Sequence, residues 1–294
     1  MNRLPLLPVL CGLVLSGPAC AQTALTLPLR IGGAGADTVR DTAVDPRGNL
    51  IVTGTFTRNV DFNPASAEDV LVAPTGADMF LAKYAPSVRY PSATPIGALG
   101  IETPRSVAAD AQGNILVTGV FNGAVDFDPS SAVREATSRQ EDIFLAKYSP
   151  DGALLWLNVF GSALADESFH LKLDAAGNVY LTGYFQNSVD LDPQEGRVAM
   201  IASQGQKDLF LAKYSPAGDF LWGFGIGFNF DEIGYGIAFN AAGNVILYGT
   251  FASRIVDFDP SGLERNLTRD GNIEFPDLFL AEYTADGGVH RGSQ

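Results

Sequence analysis

The chain has 294 residues, is 46% hydrophobic and 18% charged, and carries a formal net charge of −14 at pH 7. Such acidity repels phosphates and makes nucleic acid a poor partner, while cations, basic proteins and uncharged glycans stay open as partners. Both cysteines, Cys11 and Cys20, fall within the first 21 residues, so the rest of the chain has no disulfide or thiol chemistry and must draw its stability from a buried core.

In chain order the first element is an export signal over residues 1–21. Arg3 gives the positive start, Leu4 to Leu15 is an apolar stretch too short to cross a bilayer, and Ala19-Cys20-Ala21 offers the small residues read by signal peptidase, with cleavage before Gln22. A lipoprotein signal is the rival reading, through acylation of Cys20. It wants a branched aliphatic residue three positions earlier, where Gly17 stands. The expected product is secreted, periplasmic or at the cell surface, a single domain over 22–294. No later segment is apolar for long enough to span a membrane.

The mature part repeats itself, and a repeat decides the architecture before anything else does. Asp45-Pro-Arg-Gly-Asn-Leu-Ile-Val-Thr-Gly-Thr-Phe56 returns at Asp110–Phe121, Asp174–Phe185 and Asn240–Phe251. A Val-Asp-Phe-Asp-Pro block recurs at Val60, Val125, Val189 and Val256, and Asp-x-Phe-Leu-Ala-Lys-Tyr at Asp78, Asp142, Asp208 and Asp277. Each copy reads as four short strands. Strand a ends at Asp45 and its equivalents, and a Gly-Asn turn leads into strand b, Leu50 to Phe56 in the first copy. Strand c is Met79 to Tyr84. Strand d is clearest at Leu154 to Phe160, after the Ser149-Pro-Asp-Gly152 turn. Strands b and c are apolar on both faces, which requires cover on both sides.

Repeated four-stranded sheets of this kind predict an all-β fold, a propeller of four blades over about 41–97, 106–161, 170–227 and 236–283. The last copy stops too soon for a full strand d. Residues 25–31 form a strand d without a strand c before it, so the N-terminal strand is expected to complete the last blade and close the ring.

The Ala-Val-Asp-x-x-Gly-Asn-x-x-Val-Thr-Gly run, the Val-Asp-Phe-Asp-Pro block and the Phe-Leu-Ala-Lys-Tyr-Ser-Pro-Asp-Gly-x-Leu-Leu-Trp run together resemble the bacterial SBBP-type β-propeller repeats, and the layout is similar to NHL blades. The resemblance covers essentially the whole mature chain. It implies a propeller in an exported bacterial protein and little about activity. The family name implies seven blades where this chain supplies four. A small ring, a fragment, and two chains assembling a larger ring are the three ways to reconcile that number.

Propeller geometry places the d-to-a and b-to-c connections on one face, which here collects carboxylates: Asp37, Glu102, Asp166 and Glu232 before strand a, the Asp-x-Asp pairs after strand b, and Asp78, Asp142, Asp208 and Asp277 opening strand c. In Asp126/Asp128, Asp190/Asp192 and Asp257/Asp259 the two carboxylates point to the same side, as the two-residue strand period demands. They would begin a calcium site if carbonyls and water supplied the rest. The competing reading makes them turn caps that bond their own backbone, and Asn63 already replaces the second Asp in the first copy. Trp156 and Trp222 hold matched positions in strand d, read as packing between blades or, if exposed, as sugar-stacking platforms. Residues at the start of strand a break the repeat. Arg40, Asp41, Arg105, His170 and Tyr235 are expected to line the channel mouth as a small-ligand site, where His170 would be the base if the protein were a hydrolase or lyase. The main expectation is a non-enzymatic scaffold that presents an acidic loop face to a protein or glycan.

Overall fold

The computed structural model describes residues 31–63, 70–86, 92–96, 100–194, 196–269 and 275–289. The export signal, and the expected first strand apart from Ile31, lie outside the described residues.

Four antiparallel sheets follow one another along the chain, with no helix among the described residues. The first contains β1 (Gly32–Gly33), β2 (Thr38–Val44), β3 (Leu50–Asp61), β4 (Val70–Tyr84) and β5 (Ser92–Ile96). The second contains β6 (Ile101–Ala109), β7 (Ile115–Asp126), β8 (Glu135–Tyr148) and β9 (Leu154–Phe160). In the third, β10 (Glu167–Leu173) and β11 (Val179–Phe185) are followed by a short ribbon, β12 (Ser188–Asp190) with β13 (Met200–Ala202), and then by β14 (Asp208–Tyr214) and β15 (Phe220–Ile226). The fourth has β16 (Glu232–Phe239), β17 (Val245–Phe251), a ribbon of β18 (Ile255–Asp257) and β19 (Asn266–Thr268), and β20 (Asp277–Tyr283). The second and third sheets run a-b-c-d in spatial order, as the repeat predicts.

Two residue choices fix each sheet. The Asp-x-x-Gly-Asn turn is held by its first side chain. Asp110 Oδ1 accepts the amides of Gln112 and Asn114 at 2.9 and 2.8 Å, and Oδ2 accepts Asn114 Nδ2 at 2.8 Å. Gly113 takes φ +83° within the turn, a conformation open to glycine at little cost. The Thr-Gly of strand b has a separate cause. Each strand a carries a β-bulge, between Val39/Asp41, Pro104/Ser106, Ser168/His170 and Gly234/Gly236. The bulge presses a carbonyl onto the facing glycine: a Cβ on Gly54, Gly119, Gly183 or Gly249 would lie 1.9, 2.1, 1.8 or 1.9 Å from the oxygen of Thr38, Thr103, Glu167 or Ile233.

Strands b and c run further than the sequence predicts in the first two sheets. The Val-Asp of the block is itself strand and pairs with residues that precede the predicted strand c, Val60 with Leu71 and Val125 with Ala136. In the third and fourth sheets the same pairing survives as the separate ribbons. The block's aromatic residue turns inward. Phe62, Phe127 and Phe258 are buried, and Phe127 meets Phe121 edge-on at 5.3 Å and Phe144 at 5.0 Å. The tyrosine ending strand c donates its hydroxyl to the carbonyl of that inserted residue in all four copies: Tyr84 to Phe62, Tyr148 to Phe127, Tyr214 to Leu191 and Tyr283 to Phe258, at 2.9 to 3.1 Å.

The core lies between sheets. One apolar cluster joins the first sheet to the second, another the second to the third, and a third the third to the fourth, while a fourth cluster belongs to the first sheet alone and receives Ile31 at its edge. Among the described residues no cluster joins the fourth sheet to the first, and the fourth sheet has three strands. Gly32 and Gly33 pair with Asp61 and Val60 of the first sheet.

Replacing Tyr148 by Phe removes one hydroxyl and leaves the buried Phe127 carbonyl without its donor. The expected cost is about 1–2 kcal/mol, read as a lower urea midpoint with an unchanged slope. Gly119→Ala must push apart β6 and β7, and is expected to cost about 1–3 kcal/mol or prevent folding.

Candidate functional site

The residues expected at the channel mouth divide into two groups. Asp41 and His170 occupy the same position after the bulge, and both reach the next sheet. Asp41 Oδ2 accepts the Val107 amide at 2.8 Å and the Ser106 hydroxyl at 3.0 Å, and His170 Nδ1 accepts the Ile237 amide at 3.2 Å. His170 is therefore a substitute acceptor at a seam. Burial, helped by the Lys172 charge and opposed by Asp41, holds its pKa below the usual histidine value, which keeps the ring neutral and Nδ1 able to accept.

Arg105 and Tyr235 come together on a residue absent from the expected ligand set. The Arg105 guanidinium lies 5.8 Å from the centre of the Phe169 ring and pairs with Glu167, and the Phe169 and Tyr235 rings are 5.3 Å apart. Tyr184 joins on the other side, 6.0 Å from Phe169, with Lys207 Nζ 4.2 Å over its ring. The result is a row of cation and aromatic groups crossing the second, third and fourth sheets. Phe169 was visible in the sequence as the counterpart of Arg40, Arg105 and Tyr235. Arg40 stands exposed on β2, apart from this row.

The carboxylates of the expected acidic face are largely internal. Glu102, Asp166, Glu232, Asp78 and Asp208 are at most 1% exposed and Asp142 is 6% exposed, whereas Asp37 is exposed and Asp277 half-buried. This corrects the expectation that these positions display charge on the loop face, since the strand-a and strand-c acids close into the seams between sheets. Burial pushes Asp78, Asp166 and Asp208 up to about 6, and burial followed by the Asp78 charge pushes Glu102 up to about 8.

Each Asp-x-Asp pair is occupied by its own turn. Asp126 Oδ1 accepts the amides of Asp128 and Arg134, Asp190 Oδ1 those of Asp192 and Ala199, and Asp257 Oδ1 those of Asp259 and Arg265, all at 2.7 to 3.0 Å. The second acids cap the next residues: Asp128 takes the Ser130 amide, Asp192 pairs with Arg197, and Asp259 takes the Ser261 amide. Among the described residues no three His, Cys, Asp or Glu side chains gather as a metal cluster.

The strand-c lysines and the tryptophans also serve the seams. Lys147 is buried, pairs with Asp110 at 2.9 Å and donates to the Pro216 carbonyl of the next sheet at 3.0 Å. Lys213 likewise reaches Ala285, and Lys83 reaches Pro150. Lys147 and Lys213 are thus enclosed clamps, while Lys83 is half-buried. Trp156 and Trp222 donate to the same two carbonyls, Pro216 and Ala285, and lie over Gly218 and Gly287, where a Cβ would come within 2.9 and 3.1 Å of the ring.

His170→Ala orphans the Ile237 amide and is expected to cost about 1–2 kcal/mol, while His170→Asp, which restores the residue type of the first copy, recovers most of it. Because the folded-state pKa of His170 is depressed, its contribution is fully present above the unfolded value of 6.5 and is lost as pH falls below it. Denaturant titrations from pH 8 to pH 5 should show this slope in the unaltered protein and a shallower one in His170→Asn.

No protein-family model matches the chain. Among curated proteins it is similar to an uncharacterized WD repeat-containing protein, L264, of Acanthamoeba polyphaga mimivirus, with 24% identity over 220 residues. The match covers 67% of this chain and spans only 16% of that relative's length. Among solved structures it is similar to a protein of unknown function from Bacteroides caccae, with a TM-score of 0.38 and 10% identity over 86% of this chain and 80% of that one. The repeated antiparallel sheets and the WD-repeat relative together describe a propeller-like repeat protein.

Proposed function

We propose that the exported chain is a non-enzymatic interaction scaffold whose partner is a β-sheet face like its own, presented by the first sheet of a second copy. One observation carries this reading. On strand c, the residues that face the following sheet are closed in the first three copies: Met79 and Leu81 are 0% and 5% exposed, Ile143 and Leu145 1% and 0%, Leu209 and Leu211 both 0%. Their counterparts in the fourth sheet, Leu278 and Leu280, are 82% and 76% exposed, with Tyr248 beside them at 42%. A contiguous apolar face of this kind marks an interaction surface.

On the first sheet the complementary side is open along β2 alone, where Val39 and Val44 are 57% and 65% exposed, while Val52, Phe80 and Ala82 behind it are 5%, 2% and 1% exposed. Faces of these two kinds meet at every internal seam, so a head-to-tail joint between copies repeats an interface the chain already makes. The similarity to a WD repeat-containing protein supports a repeat scaffold with protein partners. The commitment of His170 Nδ1 to a main-chain amide weighs against a hydrolase or lyase at the channel mouth.

Light scattering on residues 22–294 between about 1 and 100 µM checks the proposal. A concentration-dependent dimer or closed larger ring is expected, and Leu278→Asp with Leu280→Asp should weaken it by about 30-fold or more while leaving the thermal midpoint of the monomer in place. A monomer at every concentration, with Leu278 and Leu280 protected from solvent labelling, would mean that the chain covers this face itself and would overturn self-association.

A further inference from the structure

At each seam an acid opening strand c of one sheet meets an acid preceding strand a of the next. The third seam shows the geometry clearly. The Asp208 carboxyl lies against Gly227, where a Cβ would be 2.4 Å from Oδ1. The very next amide, of Phe228, donates to Glu232 Oε2 at 2.8 Å, and Ser253 donates to Oε1 at 2.9 Å. Asp208 Oδ2 accepts the Gln204 amide at 2.8 Å. The second seam repeats this: Asp142 lies 2.4 Å from the Cβ position of Gly161, and Asp166 accepts the amides of Ser162 and Gln186. Two carboxylates thus bracket one peptide, and main-chain amides compensate most of their oxygens.

The first seam holds the matching pair without that compensation. Asp78 and Glu102 are both 0% exposed, and among the described residues none of their four carboxylate oxygens makes a hydrogen bond of ordinary geometry, although the main-chain amides of Met79 and Glu102 favour the Glu102 carboxylate. The ion pairs of the described residues, Arg105–Glu167, Lys147–Asp110, Arg197–Asp192 and Lys213–Asp174, leave this pair without a basic side chain. Two adjacent buried carboxyls with so little compensation must take up protons or hold a cation. Four carboxylate oxygens without a well-formed hydrogen bond are the hard donors a divalent ion prefers.

We propose that a hard divalent cation of the calcium class binds between Asp78 and Glu102 and pins the first sheet to the second. The two carboxylates supply the charge, and main-chain carbonyls and water complete a shell of about six to eight oxygens. This site is separate from the Asp-x-Asp turns, whose first acids are engaged by backbone amides. It also stands apart from the scaffold reading, because it concerns an internal seam and not the exposed end.

The test uses residues 22–294 at pH 8, stripped with EDTA and titrated with calcium chloride. Calorimetry is expected to give one ion per chain, and at about a hundredfold excess over Kd the thermal midpoint should rise by about 5–10 °C, reversibly with EDTA. Asp78→Asn with Glu102→Gln should abolish the shift, and Asp126→Asn with Asp128→Asn should keep it. A shared proton gives the opposite signature. Carboxyls whose pKa is raised in the fold stabilise below their unfolded values of 3.8 and 4.5 and lose that contribution as pH rises through about 6 and about 8, equally in calcium and in EDTA. That profile, or a calorimetric stoichiometry of zero in the unaltered chain, overturns the proposal. So does a calcium shift that survives in the Asp78/Glu102 variant and vanishes in the Asp126/Asp128 variant.

Discussion

A sheet that is apolar on both faces is stable only while both faces are covered, and every other feature of this chain follows from that requirement. Strand b of the third sheet, β11, is buried along its whole length, as is strand c, β14. Neither face can be left to water, so each sheet needs a neighbour on either side, and the core becomes a series of seams between sheets. The polar residues that recur with the repeat then have one task. They satisfy main-chain groups at places where water has been expelled. Asp110, Lys147, Tyr148, Trp156 and Asp166 all bond main-chain atoms within their sheet or across a seam.

This explains which parts of the molecule were legible in the sequence. The turns, strand b and strand d are local, and their residue chemistry announces them: the limits of β11 and β9 coincide with the runs that predict them. The long b-to-c ribbons were hidden because the Val-Asp-Phe-Asp-Pro block reads as a strand stop, and its pairing partner, Glu135 to Thr137 in the second sheet, has no apolar alternation to betray it. The acids were misjudged for a related reason. A carboxylate opening strand c reads as surface charge unless one knows that the glycine just past the neighbouring strand d, Gly161 or Gly227, has vacated the space it fills. For the same reason the row of Arg105, Phe169 and Tyr235 was only partly visible, since spacing shows that these residues are equivalent but not that successive sheets bring them into contact.

The fourth copy shows how tightly the seam chemistry is coupled. In the first three copies an Asp at the a-to-b turn (Asp45, Asp110, Asp174) accompanies a strand-c Lys (Lys83, Lys147, Lys213) that reaches a carbonyl of the following sheet. In the fourth copy both members change together. Asn240 takes the place of the Asp and Glu282 that of the Lys, and Glu282 Oε1 accepts from Asn240 Nδ2 at 2.7 Å and Asn244 Nδ2 at 2.8 Å. The carboxylate moves from the turn to strand c and the cation is lost, and the side chain that elsewhere spans a seam now accepts from its own sheet. A carboxylate on strand c suits a turn that offers two side-chain amides, so the two replacements are chemically matched.

The clamp formed by one tryptophan and one lysine on a single carbonyl, Trp156 with Lys147 on Pro216 and Trp222 with Lys213 on Ala285, has a consequence for how such chains change over time. Each joint is written entirely within one repeat and the turn of its neighbour, so duplicating or excising a whole unit leaves every remaining joint chemically intact. Length can therefore drift by gene-level copying while local architecture stays fixed. The two units at an array's extremities are where selection is free to rewrite side chains for new contacts.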